Sequence, residues 1–164
     1  MSIGDVNSNE RGSGARYNTG KPDFSLIPLT LVATSLDNGT SRLGAPAALE
    51  SLGLFQKTRD PAYLYDIFHR LSTDGWEDCA RVFEYGRRKY AAWNWAKGMP
   101  WSVPIGCAAR HLLAMIRGEI DDPESTHPHR GHVFCNVVML LHYMDYYPEG
   151  NDLPPLELFR TVTP

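Results

Sequence analysis

The sequence has no apolar run of about 18 residues, the length a membrane-crossing helix needs. Its polar N-terminus also lacks the apolar stretch of a secretory leader. Cysteine is scarce: Cys79, Cys107 and Cys135 stand alone, with no CxxC spacing among them. An odd count without a disulfide framework predicts reduced thiols that act as small core residues in a cytoplasmic protein. Excess basic charge is absent too. A net charge of −3 and a pI near 6.0 exclude a broad basic face, so no stable nucleic-acid partner is expected. Internal repeats and low-complexity tracts are missing. What remains is an ordinary soluble composition, 43% hydrophobic and 21% charged over 164 residues, enough for one domain with a real core.

Residues 1–15 are polar and rich in Gly and Ser, which predicts a mobile arm. The following Arg16-Tyr17-Asn18-Thr19-Gly20-Lys21-Pro22-Asp23 imitates a phosphate-binding loop without being one. Five residues separate Gly14 from Gly20, and Pro22 stands where a Walker motif needs Ser or Thr. Arg16 and Lys21 can still clamp a phosphate and Tyr17 can stack on a base; composition alone favours a solvated lead-in. Phe24 to Val32 is expected to dock on the core, with Pro28 in a first helical turn. A short apolar helix is expected over Ala47–Phe55, ended by Arg59-Asp60-Pro61. The next is amphipathic through Leu64, Ile67, Phe68 and Leu71, and Ser72-Thr73-Asp74-Gly75 supplies N-cap candidates for its successor.

Three further helices, between Trp76 and Tyr146, carry the chemistry. On 76–90, Trp76, Cys79, Ala80, Phe83 and Tyr90 form an apolar arc, and Glu77, Arg81, Glu84 and Arg88 a second stripe. That stripe reads first as a surface ion-pair ladder. Glu84 is its acid nearest the connector Ala91–Trp101, which holds three of the four tryptophans. From Val103 to about Arg117, Ile105, Ala108, Ala109, Leu112 and Ile116 face the core and His111 sits at the edge. A lone His there is more often a core residue than a ligand. Were that helix continuous, His111 and Glu119 would lie about 12 Å apart along its axis and could not share an ion. Gly118 and Pro123 instead put Glu119, Asp121 and Asp122 on a loop or frayed end. From about His129 to Tyr146 the core arc is Val133, Val137, Leu140, Leu141 and Met144. His132 and Asn136 form an inward polar pair that needs partners, whereas His127 and His129 are expected to be exposed. After Tyr147 the chain reads as an irregular tail, packing through Leu156, Leu158 and Phe159.

Several blocks in order resemble the dATP/dGTP diphosphohydrolase family of phages and bacteria. They are Arg16-Tyr17-Asn18-x-Gly20-Lys21-Pro22 with Leu26-Ile27-Pro28, Val82-Phe83-Glu84-Tyr85-Gly86-x-x-Lys89-Tyr90, and Asn94-Trp95-x-Lys97-Gly98. Arg110-His111-Leu112-Leu113-Ala114, Arg117-Gly118-Glu119, Asp122-x-Glu124-Ser125 and His132-x-x-Cys135-Asn136 follow. The likeness covers residues 15–33 and 76–144 and leaves most of 34–75 as an insertion. It implies an all-α, compact helical bundle related to the MazG-like pyrophosphohydrolases. It also implies Mg²⁺, for which Mn²⁺ can substitute, a homo-oligomer, and cleavage of a nucleoside triphosphate to monophosphate and pyrophosphate. Carried over residue by residue, Glu84, Glu119 and Asp122 are metal candidates, and Glu84, His111, His132 and Asn136 are catalytic candidates. Arg16, Tyr17, Asn18, Lys21, Lys89, Asn94, Trp95 and Lys97 are candidates for holding substrate. MazG-like enzymes carry ExxE on one helix, and this chain has Arg81 where an ExxE ending at Glu84 needs an acid.

Three other readings stay open. An HD-type phosphohydrolase could use His111, Asp121 or Asp122, and His132, although no His-Asp dipeptide occurs. A non-catalytic nucleotide-sequestering module is the reading that Arg81 favours, and a purely structural helical protein is the third.

Overall fold

The computed structural model describes residues 2–26, 28–31 and 44–160. Among the described residues, five helices with both ends in view build an all-α domain: α1 (Ala45–Thr58), α2 (Pro61–Arg70), α3 (Gly75–Lys89), α4 (Ser102–Ile116) and α5 (His129–Tyr146). The two-residue strands β1 (Ser2–Ile3) and β2 (Arg16–Tyr17) pair antiparallel, with Ile3 opposite Arg16. Among the described residues no helix is long and apolar enough to cross a membrane.

α5 is the central element. It packs against α3 on one side and α4 on another, and touches α2. It is therefore buried nearly all round, with His132 and Asn136 buried alongside Val133, Phe134 and Val137. A helix walled in this way has no polar face, so its inward polar side chains must find partners within the protein. α3 comes close because Gly131 has no side chain: a Cβ there would lie 2.7 Å from the backbone of Asp78. Asp78 then accepts hydrogen bonds from Arg130 Nε at 2.9 Å and Nη2 at 2.6 Å, tying α3 to α5.

The junction at Arg59-Asp60-Pro61 works by local chemistry. Arg59 adopts the left-handed conformation that ends α1, and Asp60 Oδ1 accepts from the Ala62 amide at 2.9 Å, capping α2. α1 and α2 pack on each other, and α1 on α4. Their Leu49, Leu52, Phe55, Leu64 and Ile67 are fully buried in the same core as Ile105, Leu112 and Val133. The described part of 34–75, expected as an insertion, is thus a wall of the core and not an appendage.

Several expectations are corrected. On α3 the buried residues are Gly75, Cys79 and Val82, while Trp76 and Ala80 are exposed. The arc is rotated because α3 meets only α5 closely, and Trp76 instead lies at the edge against Phe68 and Phe134, 4.6 and 5.1 Å between ring centroids. Asp74 stands at the N-cap without making a side-chain cap; it takes a hydrogen bond from Ser72 Oγ at 3.2 Å. In the tail Leu153 is buried, whereas Leu156 and Leu158 are exposed. Leu29 docks on the core as expected, its amide donating to Gln56 Oε1 at 2.9 Å; Ile27 and Val32 lie outside the described residues. Residues expected as an N-terminal arm return to the body: the Gly12 and Gly14 amides donate to the Lys97 and Gly98 carbonyls at 2.6 and 2.7 Å.

Candidate active site

A spacing of three and then four places His129, His132 and Asn136 on one stripe of α5. His111 reaches the same place from α4. The acidic turn closes over both because α4 stops at Ile116 and Gly118 takes a left-handed φ of +87°. Glu119 N–H then donates to the Ala114 carbonyl at 3.0 Å, and His129 N–H to the Ile120 carbonyl at 2.9 Å. Glu119 thereby folds back beside α5.

The floor so formed is a cluster of imidazoles and carboxylates. His111 Nδ1 and His129 Nδ1 are 2.8 Å apart, and the His111 and His132 rings stack at 4.4 Å, 13° from parallel. His132 Nε2 is hydrogen-bonded to Ser125 Oγ at 2.7 Å and lies 3.8 Å from Asp122 Oδ2. Asp122 Oδ2 also accepts from the Ser125 amide at 2.9 Å. Glu119 Oε2 stands 3.7 Å from His129 Nε2. Burial pushes the His111 imidazole well below its ordinary range, helped by neighbouring His132 and His129 and by the Arg16 and Arg110 cations. Burial likewise lowers His132, to about 4, against the opposing pull of Asp122. Both rings are therefore neutral at pH 7.

Cations line one wall. Arg16 Nη2 donates to Asn136 Oδ1 at 3.1 Å. Lys21 and Lys89 converge on Glu124, each Nζ donating to a different carboxylate oxygen at 2.6 Å. Both lie about 6 Å from the centroid of Tyr17, a cation–π distance. Asn18 Oδ1 accepts from Arg110 Nη2 at 3.2 Å, and Arg110 Nη1 donates to the Pro22 carbonyl at 2.8 Å, which pins the basic turn to α4. Floor and wall enclose a cavity of about 970 Å³, with Tyr17, Trp93 and Trp95 among its aromatic lining. That is large enough for a nucleotide.

The remaining candidates take different places. Glu84 lines the cavity but is exposed and paired with Arg88 Nη1 at 3.4 Å; Arg81 pairs with Glu77 at 2.5 Å, so the surface ladder forms. Asn94 is buried and exchanges hydrogen bonds with the Ala15 backbone, which makes it a strut for the N-terminal segment. Lys97 turns away from the cavity and donates to the Val6 carbonyl at 3.2 Å. Trp95 packs between Phe83 and His142, at centroid distances of 5.1 and 5.2 Å. His129, expected to be exposed, is buried at the centre of the floor. Its sequence signal is its position three residues before His132, on the same helical face. Ser125 lies within one of the matching blocks, and its hydroxyl serves His132.

One group of three donors among the described residues can hold a metal: His111, Asp122 and His129 offer ligand atoms all within 4.8 Å of one another. Glu84 is not part of it. Resident Mg²⁺ does not fit this set, since a small hard cation takes oxygens and gives up its waters reluctantly.

The two lysines hold the Glu124 carboxyl down at about 2 through their hydrogen bonds. Because its folded value is depressed, its contribution to stability is complete above the ordinary 4.5 and fades as pH falls through about 2. The urea midpoint of wild type should therefore exceed that of Glu124→Gln at pH 6, and the gap should close between about pH 5 and pH 2. A gap independent of pH would show that the lysine–Glu124 bridge does not contribute.

No curated protein and no solved structure matches the chain. A family model described as dATP/dGTP diphosphohydrolase, N-terminal, matches residues 62–153. That stretch holds α3, α4, α5 and the whole imidazole–carboxylate floor, and begins within the segment expected as an insertion. It leaves out the turn bearing Arg16 and Lys21. The match spans more than half of the sequence, and the chain belongs to the dATP/dGTP diphosphohydrolase family.

Proposed function

We propose that the protein hydrolyses the Mg²⁺ complex of a purine deoxynucleoside triphosphate, dATP or dGTP, to the monophosphate and pyrophosphate. The observation that carries this reading is one cavity in which three cations face a floor of imidazoles and carboxylates. Arg16, Lys21 and Lys89 supply the positive charge that a triphosphate chain needs, and the substrate's own Mg²⁺ neutralises the remainder. Glu124 holds both lysines until the triphosphate displaces it. An aromatic side chain, Tyr17, Trp93 or Trp95, stacks on the base.

In the reaction a water oxygen attacks the α-phosphorus and forms the new P–O bond. The bond from α-phosphorus to the bridging oxygen breaks, and pyrophosphate leaves with that electron pair. Asp122, beside His132, takes the proton from the attacking water. Metal-assisted variants of this step use the ion carried by the substrate. Nucleotide-pool control in the cytoplasm fits such an activity.

A second reading draws on the meeting of His111, His129 and Asp122, which lie far apart in the sequence. An HD-type triphosphohydrolase also gathers histidines and acids, and it releases nucleoside and triphosphate. The deciding experiment is product analysis of a dNTP and NTP panel with Mg²⁺, resolved by ion-exchange chromatography. Monophosphate with pyrophosphate is the expected result. Nucleoside with triphosphate would replace the proposal by the second reading, and binding without turnover would make the protein a sequestering module.

A further inference from the structure

Nitrogen dominates the floor of the cavity: three imidazoles meet there from two helices, with two carboxylates beside them. A Mg²⁺ ion carried in by the substrate does not account for the pairing of His111 with His129. Their Nδ1 atoms are 2.8 Å apart. Adjacent ligands on one ion, each bonded at about 2.0–2.1 Å, sit about 2.9 Å apart when they meet near a right angle. Asp122 brings a carboxylate oxygen within 4.8 Å of both rings.

The second observation is His129 itself. Its side chain is 4% exposed, and its Nε2 is buried with no hydrogen-bond partner. A neutral imidazole carries one proton, so if Nδ1 gave that proton to His111, Nε2 would be a bare lone pair facing the Glu119 carboxylate at 3.7 Å. With an ion on Nδ1 the proton moves to Nε2 and points at Glu119. That is the carboxylate–histidine–metal arrangement by which proteins orient a ligand. Glu119 and Asp122 together also balance the charge of a dication.

We propose that His111, His129 and one carboxylate oxygen of Asp122 form a resident site for one transition-metal dication of the Mn²⁺, Fe²⁺, Co²⁺ or Zn²⁺ class, with Glu119 orienting His129 and the other Asp122 oxygen left to act as the base. Two imidazoles and one carboxylate are a donor set for such ions and a poor one for Mg²⁺. The site is separate from the substrate's Mg²⁺ and opens onto the cavity, so one ion sits in the floor before nucleotide arrives.

The test uses the full chain, stripped with a chelator, without nucleotide, and titrated separately with Co²⁺, Mn²⁺ and Mg²⁺. One Co²⁺ per chain should bind at least roughly 100-fold more tightly than Mg²⁺. Pulsed EPR of the Mn²⁺-loaded wild type should show ¹⁴N couplings from imidazole. Co²⁺ affinity should fall in His129→Gln and, by about 10- to 100-fold, in Glu119→Gln, whose side chain is half-exposed. Co²⁺ bound no better than Mg²⁺, or a Mn²⁺ spectrum without nitrogen coupling, would overturn the proposal. Because the spectrum is taken on wild type, misfolding of a variant cannot obscure the answer. Since no nucleotide enters the measurement, the result is independent of the turnover assay.

Discussion

Asp122→Asn is expected to lower kcat for dATP or dGTP by about 10²- to 10⁴-fold, the range over which a positioned acid or base contributes. KM should change far less, because the phosphate-binding cations are elsewhere. The substitution is nearly isosteric, and the amide oxygen can still accept from the Ser125 N–H that Asp122 Oδ2 now holds at 2.9 Å. Thermal melting should therefore stay close to wild type, separating a chemical effect from a structural one. A second readout follows from the electrostatics. Asp122 raises the His132 imidazole against the burial that holds it at about 4. Removing the carboxylate charge leaves burial unopposed, so the His132 titration followed by NMR in chelator-stripped protein should move below 4. Wild-type turnover in Asp122→Asn would remove this carboxylate from the reaction, and an unmoved His132 would place the two side chains further apart than the structure has them.

A large stability effect is expected at Gly131. In Gly131→Ala the new methyl would stand 2.7 Å from the backbone of Asp78, so α3 and α5 would have to part. Backbone cannot yield as a flexible side chain can, and the cost should be about 3 kcal/mol or more. For a domain of this size that is on the order of 6–12 °C in Tm. Separating α3 from α5 also loosens the Arg130–Asp78 ion pair, which is 2.6 Å long and mostly buried. Gly86 provides the contrast. It is a helical glycine in α3, and a methyl added there would meet nothing within 4 Å. There Ala lowers the entropy of the unfolded chain at no steric cost, and Gly86→Ala should raise stability by about 0.5–1 kcal/mol. Chemical denaturation of the two variants beside wild type checks both signs. Equal effects would mean that the approach of α3 to α5 is looser than 2.7 Å implies.

These two glycines cannot be told apart in the sequence, since each interrupts a helical pattern with the same propensity penalty. The same limit applies at the site. His132 and Asn136 are recognisable as an inward pair, because four-residue spacing on an apolar helix fixes their common face. His129 is not: it stands at the first residue of α5, where exposure depends on what covers the helix end, and the cover is the turn 118–128 folding back. Lys97 and Asn94 belong to matching blocks, yet one meets the Val6 carbonyl and the other the Ala15 backbone. A block identifies residues that matter together and does not say whether they touch substrate or each other.

By itself the sequence determined the helices, the Arg59-Asp60-Pro61 junction, the all-α class and the family. The helices and the junction follow from periodicity and capping, and the all-α class and the family from the resemblance carried by the matching blocks, all local properties of the chain. Tertiary structure decided which face of α3 is buried, where Glu119 points, and that His111, His129 and Asp122 meet. Each of those depends on the close packing of α3 and α4 around α5 and on the reversal at Gly118. Contacts between residues distant in sequence follow from how whole elements pack, and no local pattern encodes that.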